Sequence, residues 1–238
     1  MTEPPSTHTE QAVFVPGLLC TGALFFPQIA ALEHKAEILV ADHTLEGSME
    51  RIAEGILRRA PARFALLGLS MGGYVAFEII RQAPDRVAKL ALLDTNARAD
   101  RPDQTADRRK LIELARSEGV RKVQELLLPR LLHSRRLGDA VLVDTVLAMA
   151  DDTPLAAFER QQQAIIGRPD NRPLLARIGC PTLIIVGADD QMTPVKVAEE
   201  IRSGIAGSRL EVIPDCGHLS TLERPDAVNR LLEEWLAA

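Results

Sequence analysis

The chain has 238 residues, 46% of them hydrophobic and 26% charged, the mix of an ordinary globular domain with one sizeable core. A net charge of -5 and only 3% aromatic residues argue against a polyanion partner and against base-stacking platforms, so nucleic-acid binding is not expected. Cys20, Cys180 and Cys216 lie far apart and form no C-x-x-C pair, which excludes a disulfide framework and a zinc site from the expectations.

The leader from Met1 to Gln11 is polar, contains Pro4-Pro5 and His8, and lacks the basic and apolar regions of a signal peptide. No apolar run approaches the roughly 20 residues that span a bilayer, so the expectation is a cytoplasmic protein with no membrane partner and reduced thiols. Oligomeric state is not legible.

Short apolar runs then alternate with longer helical patterns, the signature of βαβ units and a mostly parallel sheet of about six strands. Strands are predicted at Ala12–Val15, Glu37–Val40, Phe64–Leu67, Leu90–Leu93, Thr182–Val186 and Leu210–Ile213. Helices are predicted near Leu24–His34, Met49–Ala60, Met71–Gln82, Pro194–Ile205 and Ala227–Leu236, on both faces of the sheet. Pro181 precedes a strand and Pro214 follows one, where a missing N–H is tolerated.

The alternation breaks once. Residues 97–172 show helical stripes and no convincing strand, so they read as an all-helical cap inserted into a core made of 1–96 and 173–238. Thr153-Pro154 has the pattern of an N-cap followed by Pro at the first helical position. The cap's apolar residues, among them Leu111, Leu114, Val146 and Phe158, must bury somewhere. The sheet edge is the nearest apolar surface, so they are expected to line a substrate pocket together with Leu19.

The sharpest local signal is Gly68-Leu69-Ser70-Met71-Gly72, a G-x-S-x-G between a predicted strand and a predicted helix. A serine there sits on a tight turn, and side chains at positions 68 or 72 would collide with the neighbouring strand or helix. A serine hydroxyl needs a histidine to take its proton. His8, His34, His43 and His133 read as surface or structural residues. His218 differs, because Cys216-Gly217-His218-Leu219 lies just past the last strand and can lower an imidazole onto Ser70.

The orienting acid should fall between serine and histidine in chain order. Asp189 and Asp190 follow the strand Thr182–Val186, and either could hold the imidazole. Asp94, at the end of an earlier strand, is a competitor. Its neighbours Thr95 and Asn96 suggest instead that it makes local side-chain-to-backbone bonds where the cap begins. For an oxyanion hole, the N–H of Met71 is one donor, and the loop Val15-Pro16-Gly17-Leu18 offers the N–H of Leu18 as the second.

Together these segments resemble the α/β-hydrolase superfamily, specifically its small capped esterase and enol-lactonase-like members, over Ala12 to Leu236. Gly187-Ala-Asp-Asp-Gln-Met-Thr-Pro194 is similar to the family's acid loop, and that alignment selects Asp190 over Asp189. Gly217-His218-Leu-Ser-Thr-Leu-Glu-Arg-Pro225 is similar to the family's histidine segment. Two departures stand out. Pro16-Gly17 replaces a frequent His-Gly, which alters the support of the oxyanion loop, and the usual N-terminal antiparallel hairpin is missing.

The resemblance implies a cofactor-free, metal-free serine hydrolase with the triad Ser70, Asp190 and His218, acting on a small-molecule or polymeric carboxylic ester. The same apparatus serves a lactone, thioester, polyester or C–C bond. A ligand-binding module on this fold is the alternative of a different class, and turnover of a simple ester separates the two. A nucleotide-binding reading has no G-x-G-x-x-G or P-loop to stand on. Between Arg98 and Arg136 there are 11 Lys/Arg against 6 Asp/Glu, which raises the idea of anionic substrates.

Overall fold

Every predicted apolar run forms a strand in the computed structural model, which describes residues 9–237. His8 and most of the polar leader lie outside the described residues. The chain begins with β1 (Glu10–Val15), a 3-10 turn at Gly22–Phe25, α1 (Phe26–Leu32), β2 (Ala36–Val40) and α2 (Met49–Arg59). It continues through β3 (Phe64–Leu69), α3 (Met71–Gln82) and β4 (Val87–Leu93). Four long helices follow, α4 (Pro102–Glu118), α5 (Val120–Leu131), α6 (Ala140–Asp151) and α7 (Leu155–Ile166), then the short α8 (Arg172–Leu175). After them come β5 (Thr182–Gly187), α9 (Val195–Gly204), β6 (Arg209–Ile213), α10 (Ser220–Glu223) and α11 (Pro225–Ala237).

The six strands form one parallel sheet in the order β2-β1-β3-β4-β5-β6. Alternation along β1 divides the core. Ala12 and Phe14 pack with α1 and α11 on one face, whereas Val13 and Val15 pack with α2, α3 and α9 on the other. β3 and β5 are buried along their whole lengths, while the edge strand β2 exposes alternate residues and the edge strand β6 exposes Arg209 and Val212. Among the described residues no helix is long and apolar enough to cross a membrane.

Two local expectations change. The first helix was expected from Leu24, but a 3-10 turn capped by Thr21 precedes α1, because Pro27 is accommodated only in a first helical turn. Thr153 does not cap α7. Its hydroxyl donates back to the Met149 carbonyl (2.9 Å) at the end of α6, and Pro154 itself is the N-cap.

The segment between β4 and β5 is helical throughout, with α4 packed on α5 and α7, and α5 on α6. Its apolar residues Val123, Leu127, Val146 and Phe158 join the core cluster that covers Phe14, Leu67 and Leu69 of the sheet. That packing places the helical segment against the region where β3 ends.

Candidate active site

The turn after β3 is built by close approach. A Cβ at Gly68 would fall on the Gly72 carbonyl, and one at Gly72 on the Val15 carbonyl of β1, so no side chain fits at either position. Ser70 between them has φ 54, a left-handed conformation that costs a non-glycine residue of order 1–3 kcal/mol. The strain is held by Ser70 N–H donating to the Leu93 carbonyl (2.9 Å) and by the Ser70 carbonyl accepting from Gly73 N–H (2.9 Å) and the Thr95 hydroxyl (2.8 Å). Gly72→Ala is therefore expected to destabilise the fold by about 1–3 kcal/mol or more. Thermal denaturation would show it, and an unchanged Tm would mean that β1 yields.

Three side chains meet above this turn. His218 Nε2 lies 2.8 Å from Ser70 Oγ, and His218 Nδ1 lies 2.8 Å from Asp190 Oδ2. An ionised carboxylate only accepts, so Nδ1 carries the ring proton and Nε2 is left to accept from the serine hydroxyl. Asp190 also accepts from Met192 N–H (2.7 Å), Thr193 N–H (2.9 Å) and the Thr193 hydroxyl (2.6 Å). Burial alone would raise the Asp190 carboxyl, but the His218 charge and these hydrogen bonds hold it below its ordinary value. Burial alone would lower His218, and the Asp190 carboxylate lifts it above its ordinary value instead. Asp189 stands apart: it is half exposed, and its carboxylate lies 3.6 Å from His133 Nε2.

The loop after β1 passes against the serine, since a Cβ at Gly17 would come within 3.5 Å of Ser70 Cβ. Neither Leu18 N–H nor Met71 N–H has a hydrogen-bond partner among the described residues. The loop's support comes from residues that local motifs do not reveal. His43, buried just after β2, donates from Nε2 to the Gly17 carbonyl (2.9 Å), and Leu19 N–H donates to Gln161 Oε1 of α7 (3.3 Å). Burial lowers His43, which keeps its ring neutral.

Asp94 does not make the local bonds expected of it. Fully buried, it accepts from Gly187 N–H (3.0 Å) with one oxygen, and from Ser220 N–H (3.2 Å) and the Ser220 hydroxyl (2.5 Å) with the other. It joins the acid loop to the histidine loop, and burial beside the Asp190 carboxylate pushes it up to about 7. A further tie joins the histidine loop to α5. His218 N–H donates to the Leu131 carbonyl (2.8 Å), and Glu223 accepts from Gly217 N–H (2.9 Å) and His133 N–H (2.8 Å).

A cavity of about 240 Å³ opens on Ser70 and His218, walled by Gly17, Leu18 and Tyr74 of the core and by residues of α4, α5 and α7. Leu111 lines it as expected. Leu19, Leu114, Val146 and Phe158 do not line it. Leu19, Val146 and Phe158 are fully buried in the core, and Leu114 packs against the same cluster, so these stripes fix the helices to the sheet rather than face a substrate. Cys20 lines the cavity, but burial pushes its thiol up to about 12, which removes it as a thiolate nucleophile.

This geometry places a serine hydroxyl, an imidazole and the unengaged Leu18 N–H around one cavity, with the unengaged Met71 N–H on the residue after the serine, an arrangement suited to attack on a carbonyl. The chain belongs to the alpha/beta hydrolase family, whose family model matches residues 12–231. It is 32% identical, over 75% of its length and 69% of the relative's, to a Mycobacterium tuberculosis protein provisionally named as a non-heme bromoperoxidase. Among solved structures it is similar to a thermophilic esterase from Thermogutta terrifontis, with 30% identity, a TM-score of 0.88, and 96% and 89% of the two chains covered. It is also similar to the enol-lactonase from Burkholderia xenovorans LB400, with 26% identity, a TM-score of 0.87, and 97% and 92% covered. The chain is thus an alpha/beta-hydrolase protein whose fold is similar to those of an esterase and an enol-lactonase.

Proposed function

We propose that this protein hydrolyses carboxylic esters by nucleophilic acyl transfer. The observation that carries the reading is the unbroken hydrogen-bonded line from Ser70 Oγ through His218 to Asp190. Ser70 Oγ attacks the ester carbonyl as His218 Nε2 takes its proton, and the Leu18 and Met71 N–H groups receive the oxyanion. The imidazolium, steadied by Asp190, returns the proton to the departing alcohol. Water activated by the same imidazole then attacks the acyl-serine, and the carboxylic acid leaves with Ser70 restored. A lactone follows the same course with acid and alcohol in one product, a variant supported by the similarity to the enol-lactonase.

The cavity of about 240 Å³ lies below the roughly 300–1,000 Å³ of drug-sized ligand sites, which favours compact substrates. A panel of short-chain 4-nitrophenyl esters and small lactones tests the reading, with turnover expected on the shortest acyl groups. Because His218 serves as base only when neutral, kcat/KM should fall roughly tenfold per pH unit on the acid side. The midpoint should lie above 6.5, the ordinary histidine value, because Asp190 raises it. No turnover across the panel, with Ser70 unreactive toward a fluorophosphonate, would refute ester hydrolysis. An acid limb centred below 6.5 would refute the proton inventory.

A further inference from the structure

One wall of the cavity holds a charge arrangement that the acyl-transfer chemistry does not use. Asp100 is buried, with 1% of its side chain exposed, and two guanidinium groups share its carboxylate. Arg168 Nη1 lies 2.6 Å from Asp100 Oδ1, and Arg108 Nε lies 3.0 Å from Oδ2. The side chains of Arg168 and Arg108 are 2% and 17% exposed. Two cations and one anion leave a surplus positive charge in a place largely shielded from water. Such a charge is costly unless a partner neutralises it.

Both arginines line the cavity that Ser70 lines, and each keeps one nitrogen in reserve. Arg168 spends Nε on the Arg98 carbonyl (2.9 Å) and Nη1 on Asp100 and the Ile165 carbonyl (2.9 Å). Arg108 spends Nε on Asp100 and Nη1 on Gln162 Oε1 (3.1 Å). Neither Nη2 has a hydrogen-bond partner among the described residues. Gln162 is fully buried too, and its Nε2 is likewise without a partner.

The Arg168 guanidinium is further fixed 4.5 Å over the ring of Tyr74, whose hydroxyl accepts from Asn96 (3.0 Å). These contacts immobilise the donors before any ligand arrives, so little rotamer entropy remains to be lost on binding. The other charges on the wall do not reverse the sign. Asp103 pairs with Arg101 and Asp107 with Lys110, both pairs well exposed to solvent, and Arg130 adds another cation.

We propose that the cavity is specific for a monoanion, a compact ester or lactone carrying a second, ionised carboxyl group that Arg168 and Arg108 hold while Ser70 attacks the ester carbonyl. This rests on the acyl-transfer reading above. Within the shielded Arg168–Asp100–Arg108 group the surplus is a single charge, Arg130 being exposed, and it matches a carboxylate, whereas a phosphate, at about -1.5 to -2, would leave that group negative. The planar carboxylate also suits two guanidinium N–H donors. The cavity of about 240 Å³ that Ser70 and both arginines line admits only a compact molecule, so the spacer between the two carbonyl carbons is short.

The test compares monomethyl glutarate with methyl pentanoate, equal in acyl length and differing in the terminal carboxylate, with acid release followed at constant pH. The expected result is a kcat/KM advantage of roughly 10–100-fold for monomethyl glutarate, the worth of a charged hydrogen bond, expressed mainly in KM. Arg168→Gln and, separately, the more exposed Arg108→Gln should shrink that ratio by about tenfold or more. Calorimetry of monomethyl glutarate with Ser70→Ala reads the subsite without catalysis, and methyl pentanoate serves as the neutral control.

Hydrolysis of both esters at equal kcat/KM, with no measurable binding of monomethyl glutarate, overturns the monoanion subsite and leaves ester hydrolysis standing. Binding that Arg108→Gln abolishes, with neither ester hydrolysed, upholds the subsite and refutes the ester reading. The wild-type comparison decides the matter even if Arg168→Gln fails to fold.

Discussion

Ser70→Ala is expected to lower kcat for a short-chain ester by on the order of 10⁶-fold, the scale of nucleophile loss in a serine triad. The fold should survive. The hydroxyl is half-buried, its hydrogen-bond partner is the His218 ring, and the bonds that hold the turn come from the Ser70 backbone, not from its side chain. Alanine retains the backbone bonds to Leu93, Gly73 and Thr95 and the strain at φ 54, so Tm should move by a few degrees at most. Mass spectrometry after fluorophosphonate treatment should find one adduct in the wild type, on Ser70, and none in the variant. An alanine variant that retains full activity, or an adduct elsewhere, contradicts the mechanism.

The second large effect belongs to the acid. Asp190→Asn preserves shape, but an amide turned to accept from the Met192 and Thr193 N–H groups presents its NH2 to His218. That favours the wrong imidazole tautomer and costs about 10⁴-fold in kcat in a serine protease triad. Asp189→Asn should lose far less, since Asp189 faces His133 and solvent. Asp94→Asn also keeps the ring's partner. Its defect should appear as lost stability, because an amide has one accepting oxygen and its NH2 would face either Gly187 N–H or Ser220 N–H, leaving that donor unpaired. Steady-state kinetics and denaturation of the three variants separate the roles. An equal collapse of kcat in a well-folded Asp94→Asn would move the orienting role to β4.

What the residues announce in advance is what depends on short-range chemistry. Strands buried on both faces read as unbroken apolar runs, and the bounds of Phe64–Leu69 and Thr182–Gly187 differ from expectation by two residues or fewer. The glycines at 68 and 72 are demanded within five residues of chain. The loop after β5 marks Asp189 and Asp190 alike, and only the resemblance to the family's acid loop separates them. The cavity lining was not legible in the same way. The stripe of Leu111 and Leu114 says that a helix has an apolar face, but not whether that face meets a sheet, another helix or a void. Tertiary packing sends Leu114, Val146 and Phe158 into the core and leaves arginines facing the cavity. Asp94 and His43 make bonds to residues distant in sequence, and no local pattern carries that information. For Thr193 a signal was present, a hydroxyl three residues after an acid in a tight loop, which is an Asx-type turn.

The bonds from α5 to the histidine loop bear on how such a chain diversifies. Because His218 N–H rests on the Leu131 carbonyl, and Glu223 divides its oxygens between Gly217 and His133, the helices after β4 are not an interchangeable module. A chimera that grafts a foreign insert onto this sheet removes one seat of the His218 loop together with one wall of the cavity. Recombination that respects the Leu131–His133 corner keeps His218 in place and leaves the faces of α4 and α7 open to variation. Point changes at positions such as 108 and 168 alter the cavity wall without touching that corner, whereas exchange of the whole insert removes it.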